Sequence, residues 1–213
     1  MLLQVRVRLA DRPGSLGRVT WLLGSLGVDI CQVVVLGRGS GRAVDDFTVE
    51  LPGSVTREHL VATLEEVPGV AVEGVWPAMS VPGVATDVAV LGQLAADPDR
   101  GLATLVDAAP RLFGADWAAL MTGAGSIGYA SLDAPAEITV LEPVRARAYQ
   151  ADDGAYRAMA PLGQHPPESV SLVLGRATPG FHVAELERLI QMVNAAATVL
   201  AGRLVDTETA TPA

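Results

Sequence analysis

Apolar and polar residues alternate in the first segment of the chain, and the period then changes to that of a helix. Residues 3–9 have an apolar side chain at every second position, which predicts a strand with one buried face. Apolar residues at helical spacing follow, namely Leu16, Val19, Leu22, Leu23 and Leu26. Residues 11–16 are therefore predicted to be a strand-to-helix turn, with Ser15 as the helix N-cap.

Two β-rich segments and a second helix complete a six-element pattern in the first part of the chain. Residues 28–36 and 43–51 predict a hairpin around a glycine-rich turn. A helix capped by Ser54 or Thr56 follows, and residues 70–76 predict a last strand. The order strand, helix, strand, strand, helix, strand predicts an α+β domain with a ferredoxin-like arrangement.

Trp21 lies off the apolar stripe of the first helix and is predicted to be exposed. It either covers the edge of its own core or contacts another domain or subunit, and we favour the contact because exposed Trp is enriched at interfaces.

The turn sequence Asp-Arg-Pro-Gly-Ser-Leu at 11–16, with Gly-Val-Asp-Ile at 27–30, resembles the ACT domain over residues 1–77. This resemblance implies a regulatory module that binds an amino acid where two such domains meet. The first turn is implied as one wall of the site and the start of the second strand as the other. The implied ligand-binding residues are Asp11, Pro13, Gly14, Ser15 and Leu16, and then Asp29, Ile30 and Cys31.

The chemistry of these residues suits a small zwitterion. Free N–H groups near Gly14 could hold an α-carboxylate, and a carboxylate at Asp11 or Asp29 could accept from an α-ammonium. Asp29 stands where the family often has Asn, which either strengthens the preference for a cation or marks a site that has lost binding. In the alternative interpretation, the same residues form a stable turn and bind nothing.

Residues 77–83 have no regular period and contain two prolines, so they predict a linker, which we place at residues 78–86. Beyond it we expect a helix from about Asp87 and a second helix that Pro110 kinks or ends early. A long helix from Val183 and a flexible tail at 206–213 are expected at the end. Between them the predicted elements are strands at 116–122, 127–132, 138–141 and 169–174, a helix around 149–159 and a break at Pro166-Pro167.

Residues 87–205 resemble a GAF domain, an α/β sandwich with an antiparallel sheet. The resemblance is carried by Leu-Phe-Gly-Ala-Asp-Trp at 112–117, by Leu-Val-Leu-Gly-Arg at 172–176 and by the helical segment Phe181–Ala197. It implies a sensory or dimerising module whose pocket holds a small molecule or is filled. The middle of this region is short for the family, so we expect paired terminal helices in a dimer more than a roomy pocket.

Composition narrows the possible partners and the location. The net charge is −9, and the fifteen basic residues form no stripe, so no nucleic acid is expected. No apolar run reaches membrane-spanning length, and no signal peptide is recognised. The single cysteine, Cys31, is interpreted as a small core residue that suits a reducing compartment. We therefore expect a cytoplasmic protein without membrane contact.

No pattern of catalytic or metal-binding residues emerges. His59, His165 and His182 are far apart in the sequence, and the absence of Lys excludes a Schiff base. The adjacent Asp152 and Asp153 are interpreted as a solvated turn. We expect no enzyme activity, no metal and no cofactor.

The sequence therefore predicts a regulatory homodimer that senses an amino acid or a similar zwitterion and relays the signal to its second domain or to a protein partner. Two alternatives remain open: a ligand-free scaffold for dimerisation, and a regulatory subunit of a separate enzyme.

Overall fold

The computed structural model describes residues 1–81, 83–122, 125–141, 144–162 and 170–208, without the side chains of 84 and 202–208. Within these ranges the chain is an α+β protein with two antiparallel sheets and five α-helices, which confirms the predicted class. It divides into two compact units, Met1–Val81 and Pro82–Ala213, and this division falls inside the predicted linker. None of the described helices is long and apolar enough to cross a membrane.

The first unit follows the order strand, helix, strand, strand, helix, strand. Its elements are β1 (Leu2–Ala10), α1 (Ser15–Ser25), β2 (Asp29–Gly39), β3 (Arg42–Glu50), α2 (Arg57–Glu65) and β4 (Ala71–Pro77). Its four strands are arranged in the order β2-β3-β1-β4. The alternating side chains of β1 point to one buried face, where they pack with Val19 and Leu23 of α1 and with Leu60 and Leu64 of α2.

The register of this sheet fixes which ends of its strands are adjacent. Arg42 is paired with both Ala10 and Gly39, at the ends of β1 and β2. Glu50 is paired with both Leu2 and Asp29, at the starts of the same two strands. The turn after β1 therefore lies at the end of the sheet where β2 finishes, and the start of β2 lies at the opposite end.

Local predictions in this unit had mixed outcomes. Thr56 caps α2 as expected, because its hydroxyl accepts from the His59 N–H at 3.2 Å. The prediction that Ser15 caps α1 was wrong: Gly14 is the N-cap, with φ 86, and the buried Ser15 begins the helix. Leu16 is 36% exposed instead of packing inward. Cys31 is exposed, and not a core residue, because it lies in a bulge of the edge strand β2.

The second unit is a five-stranded sheet with helices packed against it. Its elements are α3 (Val84–Ala96), a short 3₁₀ helix (Pro98–Arg100), α4 (Gly101–Phe113), β5 (Trp117–Thr122), β6 (Ser126–Ala130), β7 (Arg147–Gln150), β8 (Tyr156–Leu162), β9 (Val170–Arg176) and α5 (Val183–Glu208). The strand order is β6-β5-β9-β8-β7. The apolar stripe of α5, including Leu189, Val193 and Ala196, packs in one core with α3, α4 and the sheet.

Several predicted elements of this unit were wrong. α4 continues through Pro110 to Phe113, so the proline does not end the helix early. Residues 138–141 form no strand, and the helix predicted at 149–159 is instead a pair of antiparallel strands, β7 and β8. The backbone of α5 continues to Glu208, into the segment predicted to be a tail. The Pro166-Pro167 break lies outside the described residues.

Candidate functional site

The turn between β1 and α1 presents backbone donors at its surface. The Ser15 N–H donates to the Arg12 carbonyl at 3.2 Å, and the Arg18 N–H donates to the Gly14 carbonyl at 3.2 Å. Between them, the N–H groups of Leu16 and Gly17 have no acceptor in the part of the chain that the structure describes. These two donors lie at a helix N-terminus, on a turn where Pro13 and Gly14 are exposed. This end of the unit can therefore bind an anion.

Asp11 lies at the surface beside this turn and is paired with an arginine that the sequence analysis missed. Its backbone N–H donates to the Gly41 carbonyl at 3.0 Å, and its carboxylate lies 3.0 Å from Nη2 of Arg38. Arg38 is near the end of β2, 27 positions along the chain from Asp11. Only the strand register brings the two together, and no local motif signals it.

The second predicted wall lies at the other end of the sheet. Asp29 and Cys31 are exposed at the start of β2, and Ile30 between them is half-buried against the core. From Asp29 to the Arg38–Asp11 pair is nine residues of extended chain, or about 30 Å at 3.3 Å per residue. One copy of the chain therefore does not bring Asp11 and Asp29 together.

Asp45 is a buried carboxyl near this site that was also missed. It lies on β3, is 2% exposed, and its Oδ1 has no hydrogen-bond partner among the described residues. Burial raises the pKa of this carboxyl; Arg38 lowers it, and the negative charges of Asp46 and Asp11 raise it further. The net result is a raised pKa.

This raised pKa predicts a pH-dependent cost to stability. The folded chain holds the Asp45 proton more tightly than the unfolded chain, so stability is lost as pH rises above the ordinary carboxyl range. We compare the melting temperatures of an Asp45→Asn chain and the native chain at each pH. We expect the difference, variant minus native, to become more positive between about pH 3 and about pH 7. The exposed Asp99→Asn is the control. A difference that stays constant with pH would contradict the assignment.

The described residues hold no group of three or more His, Cys, Asp or Glu side chains that could bind a metal. His59 is exposed on α2, His182 precedes α5, and His165 lies outside the described residues. Asp153 of the predicted acidic turn pairs with Arg157 at 2.6 Å.

In the second unit, Arg176 at the end of β9 connects several elements. It is buried and forms a two-pronged ion pair with Glu185 of α5, with both N–O distances at 2.9 Å. It also lies 3.9 Å from the centre of the Phe181 ring. It also donates hydrogen bonds to the backbone carbonyls of Phe113, Gly114, Pro179 and Gly180. These contacts hold three elements together and leave this cation no capacity for a ligand.

No family model and no curated protein matches this chain. Among solved structures, it is similar to a formyltetrahydrofolate deformylase from Pseudomonas putida KT2440, with 15% identity and a TM-score of 0.32, over 46% of this chain and 39% of that one. It is also similar to an unknown protein from Galdieria sulphuraria, with 14% identity and a TM-score of 0.33, over 95% of this chain and 92% of that one. The chain thus spans about two fifths of the deformylase, and both likenesses are too weak to support a function.

Proposed function

We propose that the protein is a non-catalytic regulator that binds an amino acid, or a similar small zwitterion, between two copies of its first unit. In this proposal residues 1–77 are an ACT-like domain with the ferredoxin-like arrangement. The element order of the first unit and its strand order β2-β3-β1-β4, with both helices packed on one face, support it.

The observation that carries the proposal is the position of β2. It is an edge strand of eleven residues, and its exposed side chains include Val34 and Val35, at 40% and 50% exposure. Long edges with exposed apolar residues favour pairing with another strand. If two copies pair their β2 strands antiparallel around a two-fold axis, Asp29 of one copy comes beside Arg38 and Asp11 of the other.

The chemistry of that combined site would suit both charges of a zwitterion. The N–H groups of Leu16 and Gly17, with the Arg38 guanidinium, offer donors for an α-carboxylate. Asp29 of the second copy offers an acceptor for an α-ammonium. Gly14 has no side chain to hinder the approach of the ligand to the turn, and its φ of 86 favours glycine.

We further propose that residues 87–205 are a GAF-like domain that supports dimerisation or passes the signal to a protein partner. Its antiparallel order β6-β5-β9-β8-β7 and the long α5 that packs on the sheet support this assignment. The predicted cytoplasmic location belongs to the same proposal.

Thermal melts of the full chain against each of the twenty amino acids at millimolar concentration test the proposal. A ligand that binds only the folded state raises the midpoint by an amount that grows with its concentration. We expect a shift with at least one amino acid, and we expect Asp11→Ala and Asp29→Ala each to reduce it. Asp99→Ala, an exposed Asp in the second unit, should retain it. No shift with any of the twenty would contradict ligand binding and favour the scaffold alternative.

A further inference from the structure

A groove between α1 and α2 has the dimensions of a small-molecule site. Its volume is about 620 Å³, within the range of ligand pockets. Its apolar lining comes from Gly17, Trp21 and Leu22 on one side and from Val67 and Pro68 on the other. All of these residues belong to one copy of the chain, and the groove shares Gly14 and Gly17 with the proposed intersubunit site.

Trp21 gives the groove a flat aromatic wall. It is 74% exposed, whereas Trp76 and Trp117 are each 8% exposed. One turn before it, Gly17 has no side chain to cover the helix backbone, and a Cβ atom at this position would meet nothing within 4 Å, so the space beside it is open. An apolar group of a ligand can therefore lie against both the indole ring and the helix.

Two opposite charges lie on the two walls of the groove. Arg18 belongs to α1, and Glu66 is the C-cap of α2. Over the described ranges, neither side chain forms an ion pair or a hydrogen bond. Each also lies at the unfavourable end of its own helix dipole, a cation near an N-terminus and an anion at a C-terminus. Helix stability therefore does not account for either charge.

The helix dipoles reinforce these charges across the groove. Gly14, the N-cap of α1, and Glu66 line the same groove, so the positive end of one helix faces the negative end of the other. The α1 wall is positive by both its dipole and Arg18, and the α2 wall is negative by both its dipole and Glu66. A molecule with an anionic and a cationic group fits this polarity in one orientation.

We propose that this groove is a second ligand site, within one copy of the chain, for an α-amino acid with an apolar side chain. Arg18 binds the carboxylate, Glu66 accepts from the ammonium, and the side chain packs against Trp21, Leu22 and Val67. A ligand with only a cationic group would pair with Glu66 alone, and a ligand with only an anionic group would pair with Arg18 alone.

Trp21 emission from the full chain, titrated with L-leucine and L-phenylalanine up to about 10 mM, tests the proposal. We expect a saturable change that Trp21→Phe removes, and at least roughly tenfold weaker binding of phenethylamine and 3-phenylpropionate, which each lose one charged contact. No saturable change with either amino acid would overturn the proposal, as would binding of either analogue as tight as that of L-phenylalanine.

Variants test whether Arg18 and Glu66 bind the ligand, and they distinguish this groove from the intersubunit site. Arg18→Gln and Glu66→Gln should each weaken binding at least roughly tenfold, whereas the exposed controls Arg57→Gln and Glu65→Gln should not. Gly17→Leu should block the groove without lowering the melting temperature, because leucine favours a helix more than glycine does. Asp29→Ala should leave this titration unchanged even where it abolishes the intersubunit site. Binding that survives Arg18→Gln, Glu66→Gln and Gly17→Leu would overturn the proposal.

Discussion

Replacing Arg176 by methionine is expected to lower the free energy of unfolding of the second unit by about 3–5 kcal/mol. Methionine fills much of the volume but leaves the Glu185 carboxylate without its ion-pair partner in a mostly buried position. It also removes the donors to four backbone carbonyls at the ends of α4 and before α5. Breaking a buried pair on one side costs far more than losing a surface pair.

Urea unfolding measures this loss through Trp117, which lies in β5 of the second unit. A Trp21→Phe/Trp76→Phe background leaves Trp117 as the only Trp in the chain. Arg111→Met is the control, because Arg111 is an exposed arginine on α4 without an ion pair in the described part of the chain. A loss for Arg176→Met no larger than that of the control would contradict the role of Arg176 in joining these elements.

Replacing Asp46 by alanine is expected to destabilise the first unit by a similar amount, about 3–5 kcal/mol. Both oxygens of Asp46 bind the guanidinium of Arg6 at 2.7 Å, and Arg6 also lies 5.4 Å from the centre of the Trp76 ring. Because Arg6 is buried, its charge cannot recover the lost interaction from water. Urea unfolding followed by circular dichroism gives the loss.

Two further variants show whether that loss comes from the buried charge. Asp11→Ala breaks the exposed pair with Arg38 and should cost less than about 1 kcal/mol. The double variant Arg6→Met/Asp46→Leu removes both charges and should recover most of the stability lost in Asp46→Ala. If the double variant is as unstable as the single one, an unpaired charge is not the cause.

β1 and α5 could be predicted from the sequence because each of them has one buried face. β1 alternates because only one face of it meets the helices, and α5 shows a regular stripe because it packs on one side. β8 and β9 are both buried on two faces and show no alternation. β9 could still be recognised as a strand because it contains a run of leucine and valine, whereas β8 was missed because Ala158, Met159 and Ala160 favour a helix.

The candidate site was predictable only in its local part. The turn and the free donors of α1 follow from residues close together in the chain. Ser15 was misplaced as the cap because Gly14 adopts the left-handed conformation and the helix begins one residue earlier than a Ser15 cap requires. Arg38 and Asp45 could not be found, because they approach Asp11 only through the register of β2 and β3.

The central claim is that two copies meet along β2, and the reactivity of Cys31 tests it most directly. Cys31 is the only cysteine of the chain and is exposed on this strand, so pairing of two β2 strands would cover it. At micromolar concentration, we expect alkylation of Cys31 to be at least roughly tenfold slower in the native chain than in a Val35→Lys variant, whose charge opposes edge pairing. Equal alkylation rates in the two chains would contradict the claim if they are measured at a concentration where the native chain has the mass of a dimer. A monomeric mass for the native chain at micromolar concentration would also contradict it.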